Sequence, residues 1–193
     1  MAFGSLGDWL GLLATTALAQ QLSGGNYATA NFAIAGVLIA RLLPAVFLGP
    51  IAGVIADRLD RRMLMVVADV IRFALYISIP IVNNYFWLYT ATILVECVSL
   101  FWSPAKDASV PNLVPKEKLE SANQVSLFAA YGTAPIAAGL FAILALLSGA
   151  IASAFPSFKG TSIDIALYIN ALSFASVVPT KVCDTENKVS DNF

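Results

Sequence analysis

The chain has 193 residues, 59% of them hydrophobic and 12% charged, with a mean hydropathy of +0.79 and a formal net charge of −1. A soluble domain carries about 25% charged residues, so the composition excludes an ordinary soluble fold. Several apolar runs reach or approach the ~20 residues that cross a bilayer, which points to an all-α, polytopic membrane protein. Histidine is absent, which excludes Ser-His and Cys-His nucleophile pairs, histidine metal sites and histidine proton relays together. Cys97 in an apolar run and Cys183 in a polar tail suggest neither a disulfide framework nor a metal spacing. No enzyme chemistry, cofactor, metal or nucleic-acid partner is expected; the lipid bilayer is.

The first apolar run, 1–22, holds Asp8 and closes with Gln20 and Gln21. Ala17-Leu-Ala19 imitates a signal cleavage site, but no positive charge precedes the run and Asp8 interrupts its apolar part. It reads as a first transmembrane helix, ended by the Ser23-Gly-Gly-Asn26 turn. The second span, 27–56, carries Arg41 together with Pro44 and Pro50, which membrane helices tolerate when neighbours re-satisfy the freed backbone. Its Gly49-Pro-Ile-Ala-Gly53 is a small-xxx-small pattern suited to close packing.

A charged knot, Gly53-Val-Ile-Ala-Asp57-Arg58-Leu-Asp60-Arg61-Arg62, separates that run from a third span, 63–82. Two long apolar runs joined by so short a polar link are antiparallel neighbours. The third span contains Asp69 and Arg72, three residues apart and so on one helix face. Asn83-Asn84 makes a minimal turn into the fourth span, 85–102, whose Tyr85, Phe86 and Trp87 at one end and Phe101 and Trp102 at the other mark membrane interfaces. Residues 103–124, with Pro104, Pro111, Pro115 and mixed charges, read as a surface connection. No charge follows from 125 to 158; a fifth span is expected over about 125–150, softened by Gly132, Pro135 and Gly139. A sixth, 164–179, is short for a crossing. The bundle thus covers 1–179, and 180–193 is a polar tail.

Placing the knot in the cytoplasm puts Arg58, Arg61, Arg62, Lys106, Lys116, Lys118, Lys181 and Lys188 inside and Lys159 outside. That positive-inside bias favours six spans in the cell membrane with both termini cytoplasmic. Besides Asp164 at the very edge of the sixth, five charges lie within the spans: Asp8, Arg41, Asp69, Arg72 and Glu96. Each costs about 2.5–3.5 kcal/mol at a helix centre. At ~1.5 Å rise per residue, Arg72 lies ten residues beyond Arg62 and Glu96 eleven beyond Tyr85, which brings both to mid-membrane, as Arg41 is in its own helix. The five can pair around an internal cavity, either as ion pairs that fix helix register or as a substrate or proton path. Glu96, deep and in an apolar stretch, leads the candidates for a proton carrier.

The knot resembles the loop 2–3 signature of the major facilitator superfamily, G-x-x-x-D-R-x-G-R-R/K, at Gly53, Asp57, Arg58, Arg61 and Arg62, with Asp60 in place of the second glycine. Leu6-Gly-Asp-Trp9, Asp69-Val-Ile-Arg72, Pro104-Ala105, Pro111-Asn-Leu-Val-Pro115 and Ala122-Asn123 are similar to the bacterial exporters related to enterobactin and macrolide efflux proteins. The resemblance runs to about Ser176. It implies two six-helix halves, each a 3+3 inverted repeat, working by alternating access on a small-molecule substrate held between them, with protons as coupling ion. It also makes Asp57, Arg58, Arg61 and Arg62 parts of a cytoplasmic gate: the position of Asp57 contacts the facing half, and the arginines join a charge relay. Six spans make one such half, so the chain is expected to be an N-terminal half or truncated form of an exporter of amphipathic compounds. The alternative is a half-size module that works only as a homo- or hetero-dimer.

Overall fold

Glycine and asparagine set the limits of the first helices. Gly24 and Gly25 have φ of +63° and +86°, the left-handed region that a Cβ disfavours. One residue later the Asn26 side-chain oxygen accepts the Ala28 N–H at 3.0 Å, an N-cap bond. The structure, a computed structural model, describes residues 2–56, 58–113, 118–154 and 163–172. Helix α1 spans Ala2–Leu22, α2 Tyr27–Ala56, α3 Arg61–Val82, α4 Tyr85–Leu113, α5 Leu119–Gly132 and α6 Ala134–Ala154. A shorter apolar helix follows at Ile163–Leu172. Among the described residues there is no strand. Four stretches among the described residues are long and apolar enough to cross a membrane: Tyr27–Ile55, Met63–Val82, Tyr85–Pro104 and Asn123–Leu147; α1 is not among them. The tail and the C-terminal part of the expected sixth span lie outside the described residues.

The Asn83-Asn84 turn divides its labour. Asn83 takes φ +45° and its N–H bonds Ile79 O at 3.1 Å, closing α3. Asn84 caps α4, its side-chain oxygen accepting the Phe86 N–H at 2.8 Å. At the other end of α3, Asp60 Oδ1 accepts the Met63 N–H at 3.0 Å. That explains the departure from the family signature: glycine and aspartate are both competent N-caps. Asp60→Ala should lower stability by about 1 kcal/mol and Asp60→Gly by only a few tenths, read as an ordered pair of Tm shifts. Equal losses would remove the capping role.

One expectation changes. The polar stretch from Ser103 is not a loop at its start, because α4 continues to Leu113. A proline removes a single helical bond, and polar residues mark where a helix leaves the apolar zone rather than where it ends. The stretch Asn123–Leu147 lies close to the expected fifth span; within it α5, which begins at Leu119, is separated from α6 by the one residue Thr133, whose φ of −79° and ψ of −14° stay helical.

The core is built from alanines as much as from large side chains. Ala14, Leu18 and Ala19 of α1 meet Ala33 and Val37 of α2, Tyr76 and Ile79 of α3, Leu88, Ala91 and Val95 of α4, and Ala166, Leu167 and Ala171 of the last helix. Small residues let apolar helices approach closely where no hydrophobic effect drives them together. Gly11 marks a close approach: a Cβ there would lie 2.5 Å from the Tyr76 hydroxyl and 2.7 Å from Asn170 Nδ2. Helix α1 packs on α2, α4, α5 and α6, and α4 on α2 and α3. Hydroxyls inside the helices bond back to their own carbonyls, as Thr15 does to Gly11 O at 2.7 Å and Thr92 to Leu88 O at 2.7 Å. Such groups are satisfied without water.

Candidate functional site

Four of the charges in the bundle, one from each of four helices, meet in one place. Asp8 of α1, Arg41 of α2, Arg72 of α3 and Glu96 of α4 all line a cavity of about 500 Å³. Antiparallel helices joined by tight turns bring these positions level. Arg41, Arg72 and Glu96 sit well inside their helices, and Asp8 lies two turns into α1.

The charges pair across helices. Arg41 Nε lies 2.6 Å from Glu96 Oε1, tying α2 to α4, and Arg72 Nη2 lies 3.3 Å from Asp8 Oδ1, tying α3 to α1. The two pairs differ in exposure. Arg41 and Glu96 are equally accessible, at 19% each, whereas the Arg72 side chain is 3% exposed and Asp8 36%. The second pair therefore presents its carboxylate to the cavity and keeps its cation behind. Ser99 Oγ accepts from Arg72 Nε at 3.1 Å and also from Nη2, while donating to Val95 O at 2.7 Å. The Arg72 guanidinium carbon sits 5.4 Å from the Trp102 ring centroid, within reach of a cation–π attraction. Hydrogen bonds and a π face compensate a buried cation where Coulomb attraction alone would not offset desolvation.

The expected apolar surroundings of Glu96 are not found: a guanidinium is its immediate neighbour, and Ser99 follows one turn along the same face. Asp69, expected with the cavity group, is buried at 2% on α3 and does not line the cavity. Of the residues expected to form a gate, Gly53 is half-buried with open space where a Cβ would point, and Arg58 is exposed in the turn, its N–H bonding Ile55 O at 3.1 Å. Asp57 and the side chains of Arg61 and Arg62 lie outside what the structure describes.

Sequence reasoning missed Ser99, Trp102, Trp9 and Tyr131 as cavity residues. Ser99 was within reach, since it stands three residues from Glu96 and shares its face. Trp102 was assigned to an interface belt and Trp9 was only part of a motif. Tyr131 carries no local signal, because the break after it decides where it points. Among the described residues no group of three or more Cys, Asp or Glu side chains could hold a metal ion.

Comparison with known proteins agrees with this architecture. The family model described as "Transmembrane secretion effector" matches residues 1–171. An uncharacterized MFS-type transporter of Bacillus subtilis, YfiS, is 32% identical over 63% of this chain and 28% of its own length. A second MFS-type transporter, from Mycobacterium tuberculosis, is 30% identical over 49% of this chain and 22% of its own length. Macrolide efflux protein A of Streptococcus pyogenes is 35% identical over 40% of this chain and 20% of its own length. The matches thus span about a quarter of these relatives. No solved structure matches the chain. The chain belongs to the major facilitator superfamily of membrane transporters, within its transmembrane secretion effector family, which includes efflux proteins and is not a family of enzymes.

Proposed function

We propose that this chain forms one wall of the translocation cavity of a proton-coupled exporter of amphipathic small molecules that works by alternating access. The observation that carries the reading is the convergence of Asp8, Arg41, Arg72 and Glu96, from four helices, on a single cavity. Intramembrane charges lining a cavity serve substrate or ion passage by default, and efflux in the names of relatives supports an outward direction. In this reading six spans make a 3+3 repeat with the residue 53–62 turn and both ends in the cytoplasm of a cell-membrane protein. Asp57, Arg58, Arg61 and Arg62 act as the cytoplasmic gate. A second six-helix unit, from the same polypeptide or another copy, closes the cavity. That Asp8 and Tyr131 remain exposed beside it supports a missing facing wall.

Glu96 carries the proton by exchanging partners: protonation neutralises the carboxylate and releases Arg41, and deprotonation restores the pair. The test uses the assembled transporter in proteoliposomes with a radiolabelled macrolide and an imposed pH gradient. Gradient-driven movement is expected, with Glu96→Gln still binding the macrolide while its accumulation falls at least tenfold and no longer follows the gradient. Unchanged proton coupling in that variant would end the Glu96 assignment, and failure of the parent to move any amphipathic probe would end the exporter reading.

A further inference from the structure

Helix α5 is attached to the bundle differently from the other helices. None of its described side chains is buried, and Val125, Phe128 and Tyr131 are 67%, 78% and 69% exposed. At the join, by contrast, Thr133 and, within α6, Ala137 are buried. The join is a hinge by composition. Gly132 lacks a Cβ, and Pro135 has no N–H to give to Tyr131 O four residues back. Tyr131 O accepts the Thr133 N–H instead, and side chains bond the two carbonyls before it. Thr133 Oγ1 donates to Ala129 O at 2.9 Å and to Ala130 O at 3.4 Å. The Trp9 indole N–H reaches across from α1 to donate to Ala130 O at 2.8 Å. A tryptophan indole bonded to a helix backbone carbonyl, one turn before a helix break and at the rim of the cavity, ties the position of α5 to α1.

We infer that Trp9 is a latch: its indole N–H holds α5 against α1, and α5 swings about residues 132–135 when that bond opens, changing access to the cavity beside Asp8. The residues on the two sides of the bond, Trp9 and Ala130, both line the cavity, so the bond lies where a passing molecule must displace or skirt it. Trp87 provides an internal comparison. Its indole donates to Ser78 Oγ at 3.0 Å across the capped Asn83-Asn84 turn between α3 and α4, not beside an interruption within one span, and has no such role. The access change rests on the transport reading above, but the motion does not.

The full chain, with Cys97→Ala and Cys183→Ser, is labelled with spin probes at Leu59→Cys, in the turn before α3, and Gln124→Cys, in α5. Distances are measured in nanodiscs without substrate, so the result is independent of any transport activity. Trp9→Phe keeps the apolar bulk and removes the donor. It should raise the ratio of displaced to docked α5 roughly fivefold, the effect of losing one neutral hydrogen bond. Trp87→Phe should leave the distribution unchanged. Pro135→Ala, which restores the backbone donor and straightens the join, should suppress the displaced population even with Trp9→Phe present. A Trp9→Phe distribution identical to the parent, or an equal change with Trp87→Phe, would overturn the latch. A double variant as broad as Trp9→Phe alone would overturn the hinge.

Discussion

Asp8→Ala is expected to destabilise the bundle by about 2–3 kcal/mol, and Arg72→Met by distinctly less. Removing one member of a buried ion pair costs about 3–5 kcal/mol, because the remaining charge is stranded. Here the two remainders are unequal. Without Asp8, a guanidinium that is 3% exposed loses a carboxylate 3.3 Å away and keeps the Ser99 bonds and the Trp102 face. Without Arg72, a carboxylate that is 36% exposed turns to the cavity, where water screens it; that wet edge is also why the first figure falls below the full buried-pair range. Asp8→Asn should lie between the two, since the amide oxygen still accepts a hydrogen bond. Thermal unfolding of the three variants in one detergent gives the order directly. Equal losses for Asp8→Ala and Arg72→Met would show that exposure does not divide the pair as argued.

The Arg41–Glu96 pair yields the second large effect and separates its two possible roles. Glu96→Leu leaves Arg41 facing an apolar side chain and should cost about 3 kcal/mol. The double variant Arg41→Leu/Glu96→Leu should recover most of that loss, because two apolar side chains of similar volume replace a buried pair at little net penalty. Stability thus reads the coupling energy of the pair by a double-mutant cycle. Transport by the same double variant then decides its role. Normal stability with abolished gradient-driven transport is the expected result and marks a proton path. Normal stability with full transport would make the pair a register device between α2 and α4.

The site was legible where chemistry is local. Charges in apolar runs announce themselves, so Asp8, Arg41, Arg72 and Glu96 could be named, and a depth count could place Arg72 and Glu96 at one level. Turns were legible for the same reason: Asn83-Asn84 and Ser23-Gly-Gly-Asn26 carry their geometry in two to four residues. Partner choice was not legible. Asp69 and Arg72 share one face of α3 and both are buried, yet only Arg72 lines the cavity, because Asp69 stands about one turn away along the helix. The continuation of α4 through Pro104 escaped notice because polarity reports solvent and not helix termination. The break at Thr133 was visible only as softness. That Trp9 bonds the Ala130 carbonyl beside it requires α1 and α5 to be in place.

Helix α1 has the most complete burial along one face, with Leu10, Ala14, Leu18 and Ala19 at 0–2% exposure, yet it is the long helix that does not qualify as a membrane crossing by hydropathy. The two facts have one cause. A helix screened from lipid by its siblings need not be oily, because its environment is other protein. That insulation frees its sequence to hold Asp8, Trp9, Thr15 and Thr16, residues that a lipid-facing helix would exclude. An oiliness scan therefore passes over a helix that supplies both a carboxylate and an indole to the cavity.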